Sequence, residues 1–131
     1  MAMIKTKVFI ADDDMIASRV LSLILEKTGA FEVKVENIPT KALTSARQFN
    51  PDIFFLDVCM PGADGNDVAF QIQNDAALKA KPIVFLTSLI SEREEGVQRG
   101  GHEFLAKPAN LARVMACINR HLTQRAESGQ A

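Results

Sequence analysis

The sequence predicts a doubly wound α/β domain built on a five-stranded parallel sheet, and two observations carry that prediction. Short apolar runs alternate along the chain with stretches of helical period. The runs at 7–11, 53–57 and 83–87 are also almost continuously apolar, as strands covered on both faces of a parallel sheet must be.

The elements follow in order. "KVFIA" (7–11) is the first strand. Ile16, Val20 and Ile24 recur at four-residue spacing, with Leu21 and Leu25 widening the stripe, so 14–28 reads as an amphipathic helix ended by Gly29. "EVKVE" (32–36) alternates, which suits a strand nearer a sheet edge, and helices are predicted over 40–49 and 65–75 on either side of "IFFLD" (53–57). After "IVFLT" (83–87), Ser91 and Glu94 have the spacing of a capping box opening a helix before Gly100-Gly101. "EFLA" (103–106) is the fifth strand, and Leu111, Val114, Met115, Ile118 and Leu122 form the apolar face of a last helix over about 110–124. The polar "QRAESGQA" is expected to fray. Right-handed crossovers between parallel strands give a flavodoxin-like (βα)5 three-layer sandwich of strand order 2-1-3-4-5. Strands 1 and 3 are then neighbours, and the topological switch point lies between their carboxyl ends.

Composition narrows the function. The 131 residues are 47% hydrophobic and 24% charged, and they fit one soluble domain. A net charge of −1 offers no electrostatic footprint for nucleic acid or an anionic membrane. No apolar run approaches the roughly 20 residues of a membrane span, and "MAMIKTK" lacks the apolar segment of a signal peptide. Cys59 and Cys117 show no metal-type spacing and read as reduced thiols of a cytoplasmic protein. His102 and His121 have no paired ligand in sequence and read as surface residues.

Chemistry concentrates where the strands end. Strand 1 runs into Asp12 and Asp13, strand 3 ends at Asp57, strand 4 at Thr87, and strand 5 just before Lys107. These ends share one rim of an open α/β sheet, where ligands of such folds bind. Clustered carboxylates repel one another but match a hard divalent cation such as Mg²⁺, which takes oxygen ligands and bridges carboxylate to phosphate. An aspartate nucleophile, a metal, a lysine and a hydroxyl together are the parts of phosphoryl transfer. Asp14 reads instead as the start of the first helix, where the macrodipole favours a carboxylate.

With these residues in register, the chain resembles a receiver domain of the bacterial two-component response regulators, the CheY-like superfamily. It carries the acidic pair Asp12-Asp13, "DVCMPGADG" (57–65) matching D-x-x-M-P-x-x-D-G, Thr87 in "FLTS", and Lys107-Pro108 in "FLAKP", over about 5–124. The resemblance implies a receiver segment at 1–126 and a polar tail at 127–131. It implies that Asp57 is phosphorylated by a histidine kinase or phosphotransfer protein. Mg²⁺ would be held by Asp12, Asp13 and Asp57 with the Cys59 backbone carbonyl, and Thr87 and Lys107 would contact the phosphoryl oxygens. Thr87 and Phe104 would act as the switch, reshaping the surface of helix 4, strand 5 and helix 5 (91–124) for a downstream target, an output domain or a phosphorylation-dependent homodimer. The Lys107–Pro108 bond is a candidate for the cis form, and Met60, Pro61 and Gly65 supply loop geometry. The resemblance also places Cys59 and Leu89, two residues beyond Asp57 and two beyond Thr87, at positions that flank the phosphoryl group in the family, and neither side chain is suited to orient an attacking water. Such a protein is no enzyme beyond its own phosphorylation and slow dephosphorylation.

Three alternatives remain at this point. Asp12 and Asp14 form the D-x-D of a haloacid-dehalogenase-type phosphatase, although Ile16 departs from that pattern and residues 57–65 are left without a role. A nucleotide or flavin module would need a glycine-rich cradle where this loop is acidic. A pseudo-receiver would share the fold without being phosphorylated.

Overall fold

The computed structural model describes residues 4–60, 62, 64–88, 96–97 and 102–127, with side chains described through 122 except at 96–97. Its strands are β1 (Thr6–Ala11), β2 (Phe31–Glu36), β3 (Ile53–Asp57), β4 (Ile83–Thr87), β5 (Gly96–Val97) and β6 (Glu103–Ala106). Its helices are α1 (Met15–Lys27), α2 (Ala42–Phe49), α3 (Gly65–Gln73) and α4 (Leu111–Glu127), with a single 3₁₀ turn at Pro39–Lys41 before α2.

The sheet order is β2-β1-β3-β4-β6-β5, and every pairing except β5 with β6 is parallel. The five parallel strands therefore take the predicted order 2-1-3-4-5, with β6 as the fifth. The two-residue β5 runs antiparallel along the outer edge of β6, Gly96 opposite Phe104 and Val97 opposite Glu103. This corrects the helix predicted between Ser91 and Gly100, because residues 96 and 97 are extended. Glycine and a β-branched residue are poor helix formers, and the open edge of β6 offers them backbone partners. The capping box at Ser91 and Glu94, and positions Pro61, Leu89, Gly100 and Gly101, lie outside the described residues.

Strand alternation divides the core in two. Val8, Ile10, Phe55, Val84, Leu86 and Leu105 face one side, where α1 and α4 cover them with Leu21, Leu25, Val114 and Ile118. Phe9, Phe54, Leu56 and Phe85 face the other, against Ala42 and Ala46 of α2 and Val68 and Ile72 of α3. With helices on both faces, Val8–Ala11 of β1, Ile53–Leu56 of β3 and Ile83–Leu86 of β4 are continuously apolar because each run is buried on both sides. In edge strand β2, Phe31 is buried and Val33 and Val35 are partly buried, while Glu32 and Lys34 between them are exposed, as the sequence alternation leads one to expect.

Helix α1 places its apolar residues differently from the expectation. Its buried positions are Ser18, Leu21 and Leu25, while Ile16, Val20 and Ile24 are 79%, 50% and 39% exposed. Two apolar stripes lie side by side on this helix, and the one containing Leu21 and Leu25 faces the sheet. Gly29 follows the helix with φ of +81°, the left-handed conformation that glycine adopts without a Cβ penalty. Helix α4 buries Val114, Cys117 and Ile118 and continues to Glu127, since no helix breaker precedes Gly129.

Candidate functional site

Strand ends and loop geometry assemble the site. Residue Ala11, the last of β1, pairs with Leu56, and Asp57, the last of β3, pairs with Leu86. Asp12, Asp57 and Thr87 consequently leave adjacent strands at one rim, and all three are buried. Their burial follows from hydrophobic strands that carry them to the sheet end before the chain turns. A backbone bond of 2.8 Å from Lys107 N–H to the Thr87 carbonyl brings the fifth strand's lysine to the same rim. The Lys107–Pro108 peptide is cis.

Carboxylate oxygens of Asp12, Asp13 and Asp57 lie within 4.8 Å of one another, Asp13 being the exposed member. The Lys107 ammonium stands 3.0 Å from Asp12 Oδ2 and 3.6 Å from Asp57 Oδ1, bridging the two buried carboxylates. Burial, then the neighbouring Asp12 charge, push the Asp57 carboxyl from 3.8 up to about 6, against the opposing pull of Lys107. Burial alone would lower the Lys107 value, but the hydrogen bond to Asp12 and the charges of Asp12 and Asp57 raise it overall. Three carboxylates against one ammonium leave the cluster short of positive charge. A divalent ion fits this donor set: oxygen ligands of octahedral Mg²⁺ at about 2.1 Å lie about 3–4 Å apart, a spacing three oxygens in this cluster can reach. Soft or nitrogen donors are absent from it.

Several residues that the sequence reading passed over hold the rim in place. Asn37, just after β2, donates from Nδ2 to the Asp12 carbonyl at 2.6 Å and to Ser18 Oγ at 3.0 Å. Ser18 Oγ in turn donates to the Asp14 carbonyl at 2.8 Å. A buried serine on the inner face of an otherwise apolar helix was the available signal. Asp12 Oδ1 also accepts the Asp14 N–H at 2.9 Å, which turns the chain into α1. The Asp14 carboxylate caps that helix, accepting the Ala17 N–H at 2.9 Å. Asp14 is thereby engaged at a helix start, and the phosphatase reading, which needs it as a catalytic partner of Asp12, loses support.

On the other flank, Asp64 and Asp67 form a capping box at the start of α3. Gly65 N–H donates to the Val58 carbonyl at 2.9 Å, and a Cβ at Gly65 would stand 2.5 Å from the Asp57 carbonyl oxygen. The glycine of "DVCMPGADG" is therefore required by the close approach of α3 to the end of β3. Met60 is buried in the α2–α3 side of the core, and Cys59 is an exposed free thiol two residues past Asp57. Phe104 is half-buried and stacks on Phe85 with centroids 5.1 Å apart.

The histidines are not isolated surface residues, which corrects the sequence expectation. His102 packs edge-on against Phe85 at 5.3 Å and lies 3.0 Å from Gln73 Nε2, and His121 Nε2 is 2.8 Å from Glu103 Oε1. Their partners come from elements distant in sequence, which spacing along the chain does not reveal.

The family model for the response regulator receiver domain matches residues 8–119. The chain belongs to the response regulator receiver family. Among curated proteins it is similar to PilH of Pseudomonas aeruginosa, 30% identical over 115 residues that cover 86% of this chain and 94% of that protein. It is also 30% identical to the DNA-binding response regulator MtrA of Mycolicibacterium paratuberculosis, covering 94% of this chain but 56% of MtrA. The chain thus spans about half the length of that relative. The chemotaxis protein CheY4 of Vibrio cholerae superposes with a TM-score of 0.78 at 27% identity, covering 90% of this chain and 99% of its own. Receiver domains of this family are signalling modules of two-component systems and bind Mg²⁺ at an acidic pocket. Among the described residues, no helix is long and apolar enough to cross a membrane.

Proposed function

We propose that this receiver takes a phosphoryl group onto Asp57 from the phosphohistidine of a histidine kinase or a phosphotransfer protein. The observation that carries the reading is the convergence of Asp12, Asp13, Asp57 and Lys107 at one rim of the sheet. One Asp57 carboxylate oxygen attacks phosphorus as the bond from phosphorus to the donor imidazole nitrogen breaks; with the donor ring's other nitrogen already protonated, neutral imidazole is left on the donor. With its carboxyl at about 6, Asp57 is mostly ionised at pH 7 and available as the nucleophile. Lys107 pairs with the phosphoryl oxygens as they arrive, exchanging one of its two carboxylate contacts for them. Asp12, Asp13 and Asp57, with the Cys59 carbonyl as a further ligand, would hold a Mg²⁺, which would supply the remaining charge neutralisation when bound.

Thr87 turns its hydroxyl to the phosphoryl group, and Phe104, which shares β6 with the approach to Lys107, repacks beside Phe85. The change is read on the surface around β6 and α4 by a target protein, by an output domain of a longer chain, or by a second phosphorylated copy. In this reading residues 1–126 form the receiver, 127–131 a polar tail, and the protein works in the cytoplasm. Incubation with acetyl phosphate and Mg²⁺ followed by intact mass measurement tests it. One base-labile phosphoryl adduct, absent without Mg²⁺, is expected; no adduct would favour a pseudo-receiver.

A further inference from the structure

We propose that Glu103, Cys117 and His121 form a second metal site, selective for a borderline dication of the zinc class and separate from the acidic rim. Cys117 and His121 stand four residues apart on α4, one turn along the same face. Glu103 opens β6, so the cluster sits at the end of that strand away from Lys107. The Cys117 sulfur, a ring nitrogen of His121 and a carboxylate oxygen of Glu103 lie within 4.8 Å of one another. Arg120 pairs with Glu103 Oε2, which leaves Oε1 to His121 Nε2 at 2.8 Å and fixes the carboxylate's orientation. That arrangement is the outer partner that oriented metal ligands commonly have.

Donor chemistry separates the two sites. Thiolate, imidazole and carboxylate together make a tetrahedral zinc set with one position left for water, whereas Mg²⁺ prefers oxygen alone. A surface cleft of about 260 Å³, lined by Lys81, Pro82, His102, Glu103 and His121, reaches two of the three ligands. Binding displaces the Cys117 thiol proton to solvent and inserts the metal between His121 Nε2 and Glu103 Oε1, while Arg120 keeps its oxygen. The Cys117 side chain is buried, packed with Val114 and Ile118 in the core beneath α4.

The test titrates the reduced 131-residue chain with Co²⁺ in excess Mg²⁺ and follows the thiolate-to-cobalt charge-transfer band in the near ultraviolet. One equivalent of band-forming Co²⁺, displaced by Zn²⁺ and unaffected by Cys59→Ser, is expected. Cys117→Ser should abolish the band, and His121→Gln, at a partly exposed helix position, should weaken Co²⁺ binding at least about tenfold. Absence of the band in the wild type overturns the proposal, as does a band lost in Cys59→Ser but kept in Cys117→Ser. Should Cys117→Ser fail to fold by circular dichroism, unchanged Co²⁺ affinity in His121→Gln is equally decisive against it.

Discussion

Asp57 is held at the rim as a carboxylate that its surroundings resist. Burial and Asp12 raise its carboxyl from 3.8 to about 6, and a rise of about two pH units corresponds to about 3 kcal/mol between the charged and neutral forms. Asp57 is only 7% exposed, so solvent relieves little of this. Asparagine matches the neutral form in shape, and Asp57→Asn should therefore stabilise the metal-free protein by up to about 3 kcal/mol at pH 7. Because the folded value is the higher one, the native state binds the extra proton between pH 3.8 and about 6. Wild-type stability then falls as pH rises through that window, and the destabilisation is fully present above it. Near pH 4 wild-type Asp57 is already neutral in the fold, so the advantage of asparagine should shrink below about 1 kcal/mol. Urea unfolding with a chelator present, at pH 7 and pH 4, reads both numbers, and added Mg²⁺ should narrow the gap at pH 7 by stabilising the wild type. A variant less stable than wild type at pH 7, or an advantage that does not change with pH, would refute the reasoning.

Two further outcomes follow from named contacts, and a third from the residues flanking the acceptor in the receiver family. Gly65→Ala should destabilise the fold by about 1–3 kcal/mol or more, because its Cβ would meet the Asp57 carbonyl oxygen at 2.5 Å; chemical denaturation checks this. Asn37→Ala should cost about 1–3 kcal/mol and weaken Mg²⁺ affinity, since it frees the Asp12 carbonyl from its 2.6 Å bond; a fluorescence or calorimetric Mg²⁺ titration reads the second effect. The double variant Cys59→Asn with Leu89→Glu should lose its phosphoryl group faster than wild type, and equal half-lives would sink that idea.

The sheet was legible because its evidence is local and redundant. A strand buried on both faces must be apolar throughout, and "VFIA", "IFFL" and "IVFL" could hardly be anything else. The rim was legible for a different reason: parallel topology alone brings Asp12, Asp57, Thr87 and Lys107 together once the strand order is known. What escaped the reading depends on contacts between distant segments. Periodicity showed that α1 is a helix, yet it could not choose between the Ile16 stripe and the Leu21 stripe, both apolar. Asn37 carries no pattern of its own, and its role exists only because β2 ends beside Asp12. Glu103 and His121 likewise meet only because α4 packs back along β6. The strand at Gly96–Val97 arises from an open sheet edge, which no window of sequence contains.

Phosphorylation at Asp57 is the central claim, and its location can be read chemically. Borohydride reduces an aspartyl phosphate to homoserine, so treating the acetyl phosphate and Mg²⁺ product and mapping its peptides marks the acceptor residue. The account predicts homoserine at position 57 and nowhere else, with none formed in Asp57→Asn. Homoserine at Asp12, Asp13 or Asp14, or at no aspartate in protein that has gained a phosphoryl group, would contradict it.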